Sequence, residues 1–382
     1  MPLSAEEKAS RILESVDKTG YDLEFYVQNE LRKKHWNVIS SRYYIDDIKE
    51  VEREIDIIAY KAYTVGSIVF YFALVISCKK RSDSAWVFLT SPRIEDVNFD
   101  NFPVSLVSSD KRLDLLINTE KRMIIDTLKD NGEFLQAYDS DKRVFAYYQV
   151  NASSGKYEDS KAIYDSIITA IKAMECELKA HQKYKVDEKH TFFCFNLLSV
   201  FEGEMYEIAF DEHAARTLNE VDQIKYINRH IVNGVEKFYR VHFIKKDAFD
   251  TVLQQYQNLA REGRRIFPEL IDEFYNDIWN HSNRVDLLMK EFTLLTKARM
   301  KIVSIRNQTQ RWQDYNFDDF SLSIVDKEDR IEIWIKGFTA VEQPLVDLCN
   351  EDPEAKKEFS DLLEYYYHYQ GEFEFVIDEL PF

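Results

Sequence analysis

Glycine is the feature that most restricts what this chain can become. Its 382 residues hold nine, at 20, 66, 132, 155, 203, 234, 263, 337 and 371, and the nearest two, Gly132 and Gly155, stand 23 positions apart. A Walker-type phosphate loop, a dinucleotide-binding fingerprint and a nucleophile elbow each need two or more glycines within about six residues, because the backbone there takes up conformations that a Cβ opposes. None of the three can form. The eight histidines are also dispersed, the closest pair being His181 and His190, so there is no His-Glu-x-x-His zinc helix. Four cysteines, at 78, 176, 194 and 349, make no Cys-x-x-Cys. Their spacing argues against a zinc ribbon or a disulfide framework and for reduced thiols.

The length suggests two or three domains, and a 45% hydrophobic content is ample for buried cores. No apolar run reaches the ~18 residues of a membrane helix; residues 68–78 form the longest and, being β-branched and aromatic, read as a buried strand. The first residues lack the basic-then-apolar pattern of a secretory signal. The expectation is a soluble, cytoplasmic protein without a membrane partner. Fifty Lys+Arg against 68 Asp+Glu give a net charge of -18, which repels nucleic acid in bulk, so any nucleic-acid function must rest on a local site. Half of that excess lies in residues 345–382, where eleven acids from Asp347 to Glu379 face only Lys356 and Lys357.

Ser4 and Glu7 fit a capping box opening a helix that runs to about residue 17. A second helix, from about 21, carries Leu23, Tyr26, Val27 and Leu31 at helical spacing. Strands are expected over 35–44, 51–60, 68–78 and 85–90, with turns at Asp46-Asp47 and Gly66-Ser67. Residues 91–154 read as an insertion holding a helix (119–136) and a strand (143–150). A long helix over 158–181 presents Ile163, Ile167, Ile168, Ile171 and Met174 on one face. Next come a hairpin of strands 191–201 and 204–210 around Glu202-Gly203, strands near 223–231 and 237–244, and a helix from 247. The basic stretch Arg261-Glu262-Gly263-Arg264-Arg265 marks the expected boundary between a domain of residues 1–262 and one of 263–382. The second domain is expected to be helical over 268–300, with strands at 320–325 and 330–336 and a last helix at 353–369.

One constellation carries chemistry. Asp56 sits in an apolar strand, Ile55-Asp56-Ile57-Ile58, and a carboxylate in such a setting is costly unless paired or bound to metal. The next strand ends Ile76-Ser77-Cys78-Lys79-Lys80-Arg81, where Ser77 and Lys79 share a face and Cys78 takes the other. A turn between the two strands can bring Asp56 beside Ser77 and Lys79.

This pattern resembles the PD-(D/E)XK restriction-endonuclease-like superfamily, and within it the Mrr-like branch. The family places an Asp on one strand and an acid-x-Lys on the next, after a helix bearing a Glu; here these positions fall on Asp56, Lys79 and Glu24, and Trp86-Val87-Phe88 follows. The resemblance covers residues 19–90 well and extends loosely to 262. It implies an α+β or α/β fold, a restriction-endonuclease-like mixed sheet flanked by helices, with residues 263–382 as an added C-terminal α+β domain. It also implies a Mg²⁺- or Mn²⁺-dependent phosphodiester hydrolase, a DNA endonuclease of bacterial restriction or anti-phage defence. Asp56, Glu24 and the Cys78 carbonyl would hold the metal, Lys79 would orient the attacking water or stabilise developing charge, and Glu54 and Ser77 would assist. The sequence departs from the family at Ser77, where an acid is expected. Glu24 or Glu54 would have to compensate; otherwise the chain is a catalytically impaired nuclease-fold protein serving as an interaction or regulatory subunit. RNA is a third possible substrate.

Each residue also has a plainer use. Asp56 could pair with Arg53 or Lys61 at the surface, Glu24 could be the polar face of its helix, and Lys79-Lys80-Arg81 a solvated strand end. Cys78 reads as a core thiol, and Trp86 and the run Tyr365-Tyr366-Tyr367-His368-Tyr369 as packing residues. Arg261, Arg264 and Arg265 could touch phosphates or complement a helix dipole. Val285, Leu287, Leu288, Phe292 and Leu295 form a helix face suited to self-association or to a core. The C-terminal domain is thus a candidate for homo-oligomer or partner-protein contacts, and its acidic tail for packing on a partner or occupying the nuclease groove.

Overall fold

The computed structural model describes residues 4–17, 19–46, 50–65, 68–93, 96, 98–181, 190–232, 234–276, 278–307, 321–327, 330–338 and 342–378. The chain divides into two units, residues 1–268 and 269–382. Both mix helices and strands, and the first is built on a mixed open sheet flanked by helices.

The first unit begins with α1 (Ala5–Asp17) and α2 (Tyr21–Lys33). The capping box closes α1: Ser4 N–H donates to Glu7 Oε2 at 2.8 Å and Glu7 N–H to Ser4 Oγ at 3.2 Å. Leu23, Val27 and Leu31 of α2 are fully buried, as their i, i+4, i+8 spacing requires. Strands β1 (Asn37–Ile45), β2 (Glu52–Val65) and β3 (Ile68–Pro92) follow as an antiparallel series. Asp46 caps the end of β1 and pairs with Lys172 and Arg53; Asp47 lies outside the described residues, as do Gly66 and Ser67.

The segment expected to be an insertion belongs to this same sheet. It contributes β4 (Ser105–Ser108), helices α3 (Lys111–Thr119), α4 (Lys121–Asp130) and α5 (Gly132–Tyr138), and strands β5 (Lys142–Asn151) and β6 (Tyr157–Glu158). The single helix expected over 119–136 is broken because Asn131 takes an extended backbone and its side chain accepts the N–H groups of Glu133 and Phe134, starting α5 afresh. The helix α6 (Lys161–His181) buries Ile163, Ile167, Ile171 and Met174 against the sheet.

The expected hairpin at Glu202-Gly203 is not one. Residues 190–210 form one strand, β7 (His190–Phe210), parallel to β3 from Ile68↔His190 to Thr90↔Ala209. The strands expected at 68–78 and 85–90 are likewise a single strand. Its register with β7 shifts between Lys80 and Ala85, where Arg81, Ser82 and Asp83 are exposed. Gly203 is here for space: a Cβ would lie 2.6 Å from the Arg81 carbonyl oxygen and 2.5 Å from the Phe201 ring. Before the shift β3 pairs with β2; after it, with β5. The other side of β7 takes β4, then β8 (Arg216–Glu220) and β10 (Val235–Lys245), the last also antiparallel to β9 (Gln223–Val232). Trp86 is fully buried and stacks on Phe201, with ring centroids 3.8 Å apart, so it is a packing residue.

Helix α7 (Phe249–Asn276) runs through the expected boundary stretch 261–265, and the units divide at Pro268, where the helix lacks an N–H. In the second unit, α8 (Ser282–Arg306), β11 (Ser321–Asp326), β12 (Arg330–Lys336), α9 (Gln343–Glu351), α10 (Pro353–Tyr367) and β13 (Glu372–Ile377) enclose their own core. Its sheet has the order β11-β12-β13, with β13 parallel to β12. Val285, Leu288 and Phe292 are buried in this unit, Phe292 against Tyr366 and Tyr367, so most of the face read as a self-association element is internal; Leu295 stays exposed. The acidic stretch is no free tail. Residues 353–377 form α10 and β13, Glu354 and Glu358 pair with Arg306, and Glu372 with Lys356; Glu379 lies outside the described residues.

Candidate functional site

The register of β2 on β3, ending at Ile57↔Ile76, carries on to set Asp56 opposite Ser77. Asp56 Oδ2 accepts the backbone N–H of Cys78 at 2.6 Å and the Ser77 hydroxyl at 3.3 Å, and lies 3.5 Å from Lys79 Nζ. Neither surface pairing considered for Asp56 occurs: Arg53 pairs with Asp46, and Lys61 Nζ donates to the Lys34 carbonyl. On the other side of β2, Ser41 of β1 faces Asp56 by register and has a φ of 54°, in the left-handed region that costs a non-glycine residue energy. The strained position sits beside the carboxylate that accepts the Cys78 N–H, as functional sites often show.

Glu24 reaches the same place from the first turn of α2. Desolvation pushes its carboxyl pKa up, and the negative charges of Asp56 and Glu54 push it further, against the opposing pull of Lys79. Glu54 itself is exposed on the outer part of β2. Ser77 is fully buried, and in the adjoining row of β7 Ser199 donates to Ser166 of α6. The Cys78 thiol is buried, and burial together with the charges of Asp56 and Glu24 raises its pKa well above the ordinary thiol value, which suits a core residue and not a nucleophile.

Thus Glu24, Asp56, Ser77, Cys78 and Lys79 gather from three elements, with Glu54 at the rim. The oxygens on offer are hard donors: two carboxylates that repel one another and a main-chain carbonyl. They fit a hard divalent cation of the magnesium type, which is commonly held by one or two carboxylates with water and substrate phosphate completing the shell. Among the described residues no group of three His, Cys, Asp or Glu side chains gathers to hold a metal ion. Lys79 Nζ also donates to the Cys78 carbonyl at 3.2 Å, so its ammonium bridges two of the oxygens a cation would use.

The other two basic residues of the stretch behave differently. Lys80 pairs with Glu202 at 3.6 Å, which also pairs with Lys246 at 3.3 Å, and Lys246 lies over the Tyr26 ring. Arg81 is exposed. Glu202 and Lys246 are not legible from the sequence as neighbours of this stretch, because Glu202-Gly203 reads as a turn whereas the parallel register sets Glu202 beside Lys80.

A cavity of about 630 Å³ in the same unit has none of these residues in its wall. It is lined by Glu207, Lys142, Lys225, Gln223 and His242 among others. Glu207 is buried and bonded to Thr90 and Lys142; His242 lies between Tyr256 and Gln223. Burial, with Lys225 and Arg240 nearby, pushes the His242 pKa down to about 3.

No helix among the described residues is long and apolar enough to cross a membrane. No protein-family model, no curated protein and no solved structure matches this chain.

Proposed function

We propose that the chain is a metal-dependent phosphodiester hydrolase of the PD-(D/E)XK, restriction-endonuclease-like type, cutting DNA in a bacterial restriction or anti-phage role. The observation that carries this reading is the convergence of Glu24, Asp56 and Lys79 from a helix and two antiparallel strands. Asp56 and Glu24, with the Cys78 carbonyl, would hold Mg²⁺ or Mn²⁺. Bound there, the ion would polarise a phosphoryl oxygen and make water more acidic. Lys79, partly exposed and 3.5 Å from Asp56, would orient the attacking water or stabilise charge on the phosphate in the transition state. Ser77 positions Asp56 through its hydroxyl and adds no charge. Glu54 raises the negative potential around Glu24.

A second reading is that the fold no longer cuts and serves as an interaction or regulatory subunit. Lys79 favours it, since its ammonium already links Asp56 to the Cys78 carbonyl and partly neutralises the site. Incubation of the full chain with supercoiled plasmid and with RNA, in Mg²⁺ and in Mn²⁺, separates the two. Metal-dependent cleavage lost in both Asp56→Ala and Lys79→Ala supports the enzyme. No cleavage of either substrate under either metal favours the second reading.

A further inference from the structure

A different part of the first unit contradicts the overall charge of the chain. On β2, Lys61 and Tyr63 share a face, and on α7 Arg261 and Arg264 are spaced to share one. Gly263 lets α7 approach the neighbouring strand β3: a Cβ there would meet the Phe70 ring at 2.8 Å, and Phe70 stacks on Tyr63 of β2 and packs on Phe267. The helix therefore lies against the sheet at this point, with Arg264 over the Tyr63 ring at 5.5 Å. Lys61 Nζ lies 5.3 Å from the centroid of the Trp36 ring.

In a protein with 18 excess negative charges, cations ordinarily find carboxylates. Here they do not: among the described residues no acid pairs with Lys61, Arg261 or Arg264, although Lys33, Lys34 and Arg265 nearby are all paired. Glu262, the acid between the two arginines in sequence, bonds instead with Arg265 and Asn131. Burial, and then the neighbouring charge of Arg261, lower the Lys61 pKa; burial raises that of Tyr63 against the opposing pull of Arg264 and Arg261, so both arginines lie close enough to be felt there. The two arginines are exposed, so their guanidinium groups are open to an anion from solution.

We infer that Lys61, Arg261 and Arg264 form a second phosphate-binding patch, which grips the backbone of the nucleic acid away from the metal site. The identity of the polyanion rests on the proposed nuclease reading. Asp56 and Lys61 lie on one strand five residues apart, about 17 Å at the usual strand rise, and Tyr63 is about 24 Å from Asp56. Tyr63 and Trp36 hold the cations from below, and guanidinium groups suit phosphate oxygens in a bidentate fashion.

The test measures binding of the full chain in EDTA, so that it is independent of cutting. The probes are a labelled random-sequence 30-base-pair duplex, a labelled single strand, and phosphatidylserine vesicles. Lys61 is left intact because it also caps the Lys34 carbonyl. The double variant Arg261→Ala/Arg264→Ala is expected to bind duplex roughly ten-fold more weakly at 0.1 M salt and to lose about two units of the log–log salt slope. Arg122→Ala, an exposed arginine elsewhere, is expected to change neither. Thermal melts of both variants are expected to match the parent, since the side chains removed are exposed. Unchanged duplex binding in the double variant overturns the patch, as does a parent chain that binds neither nucleic acid. Vesicle binding that falls by the same factor while nucleic-acid binding does not also overturns it, in favour of lipid headgroups. A chain that never cleaves but loses binding with the two arginines keeps the patch and refutes only the cutting activity.

Discussion

The Asp56 carboxylate accepts the backbone N–H of Cys78 across the β2–β3 pair at 2.6 Å. The main chain therefore does most to set the position of the acid, with the Ser77 hydroxyl adding a longer bond at 3.3 Å. Removing the carboxylate leaves a buried N–H without its acceptor. Asp56→Ala is expected to lower stability by about 1–3 kcal/mol in urea unfolding and to reduce metal-dependent cleavage by at least about 100-fold. Lys79→Ala is expected to lose cleavage to a similar degree while shifting stability by less than about 1 kcal/mol, since its ion pair is partly exposed. A Lys79→Ala chain that cuts at the parent rate would sink the assignment.

Ser77 offers a test by restoring the missing acid. The side chain is fully buried next to Asp56, so Ser77→Asp introduces a third carboxylate into a site where Asp56 and Glu24 already repel one another. Without metal the variant is expected to melt lower than the parent, by several degrees for a cost of about 2–4 kcal/mol. Added Mg²⁺ should raise its melting temperature more than that of the parent. Equal Mg²⁺ responses in the two proteins would show that the site does not take the ion.

How far the sequence revealed this site depended on distance along the chain. Asp56, Ser77 and Lys79 were legible because period-two alternation sets which strand residues share a face, and the β2–β3 connection is short. Glu24 was legible only through the resemblance, since nothing in an amphipathic helix says which sheet residue its polar face meets. Glu202 and Lys246 were hidden. They reach Lys80, next to the site, through the parallel pairings of β3 with β7 and of β7 with β10, and no local signal encodes which strand a given strand will lie beside. Gly203 shows the same limit. A lone glycine after an acid reads as a turn, whereas its use here is to let two bent strands touch.

Gly203 is accordingly a sensitive position. Gly203→Ala places a methyl group against the Arg81 carbonyl and the Phe201 ring, next to the Trp86–Phe201 stack. The expected loss is about 1–3 kcal/mol, read as a lower urea midpoint with an unchanged slope. Gly155→Ala, where a Cβ meets nothing within 4 Å but φ is +63°, isolates the backbone penalty from the steric one and should cost less, about 1 kcal/mol.

The buried His242 governs part of the acid response. Its pKa is about 3 in the folded chain against 6.5 for an ordinary imidazole, so below pH 6.5 the unfolded state binds a proton that the folded state refuses. Stability is therefore lost as pH falls from about 6.5 towards 3, by an amount on the order of 4 kcal/mol at the lower end. His242→Gln removes this titration. It is expected to be less stable than the parent at pH 7.5, because the Tyr256 and Gln223 bonds are disturbed, yet to show a flatter decline between pH 6.5 and 4. Parallel stability curves over that range would exclude the histidine as the source.

The parallel pairing of β3 and β7 also bears on how the protein comes to be made. Ile68 meets His190, 122 positions later, and every further rung joins residues about as remote. Contacts of such long sequence separation slow folding, because the chain between them must be ordered first. At ribosomal speeds of about 5–20 residues per second, β3 waits roughly ten seconds for its neighbour to be synthesised. During that interval Ile68–Cys78, the most apolar stretch in the chain, has one edge unpaired. A host short of chaperones should thus yield aggregated chains in which this segment is the first to be protected from hydrogen exchange.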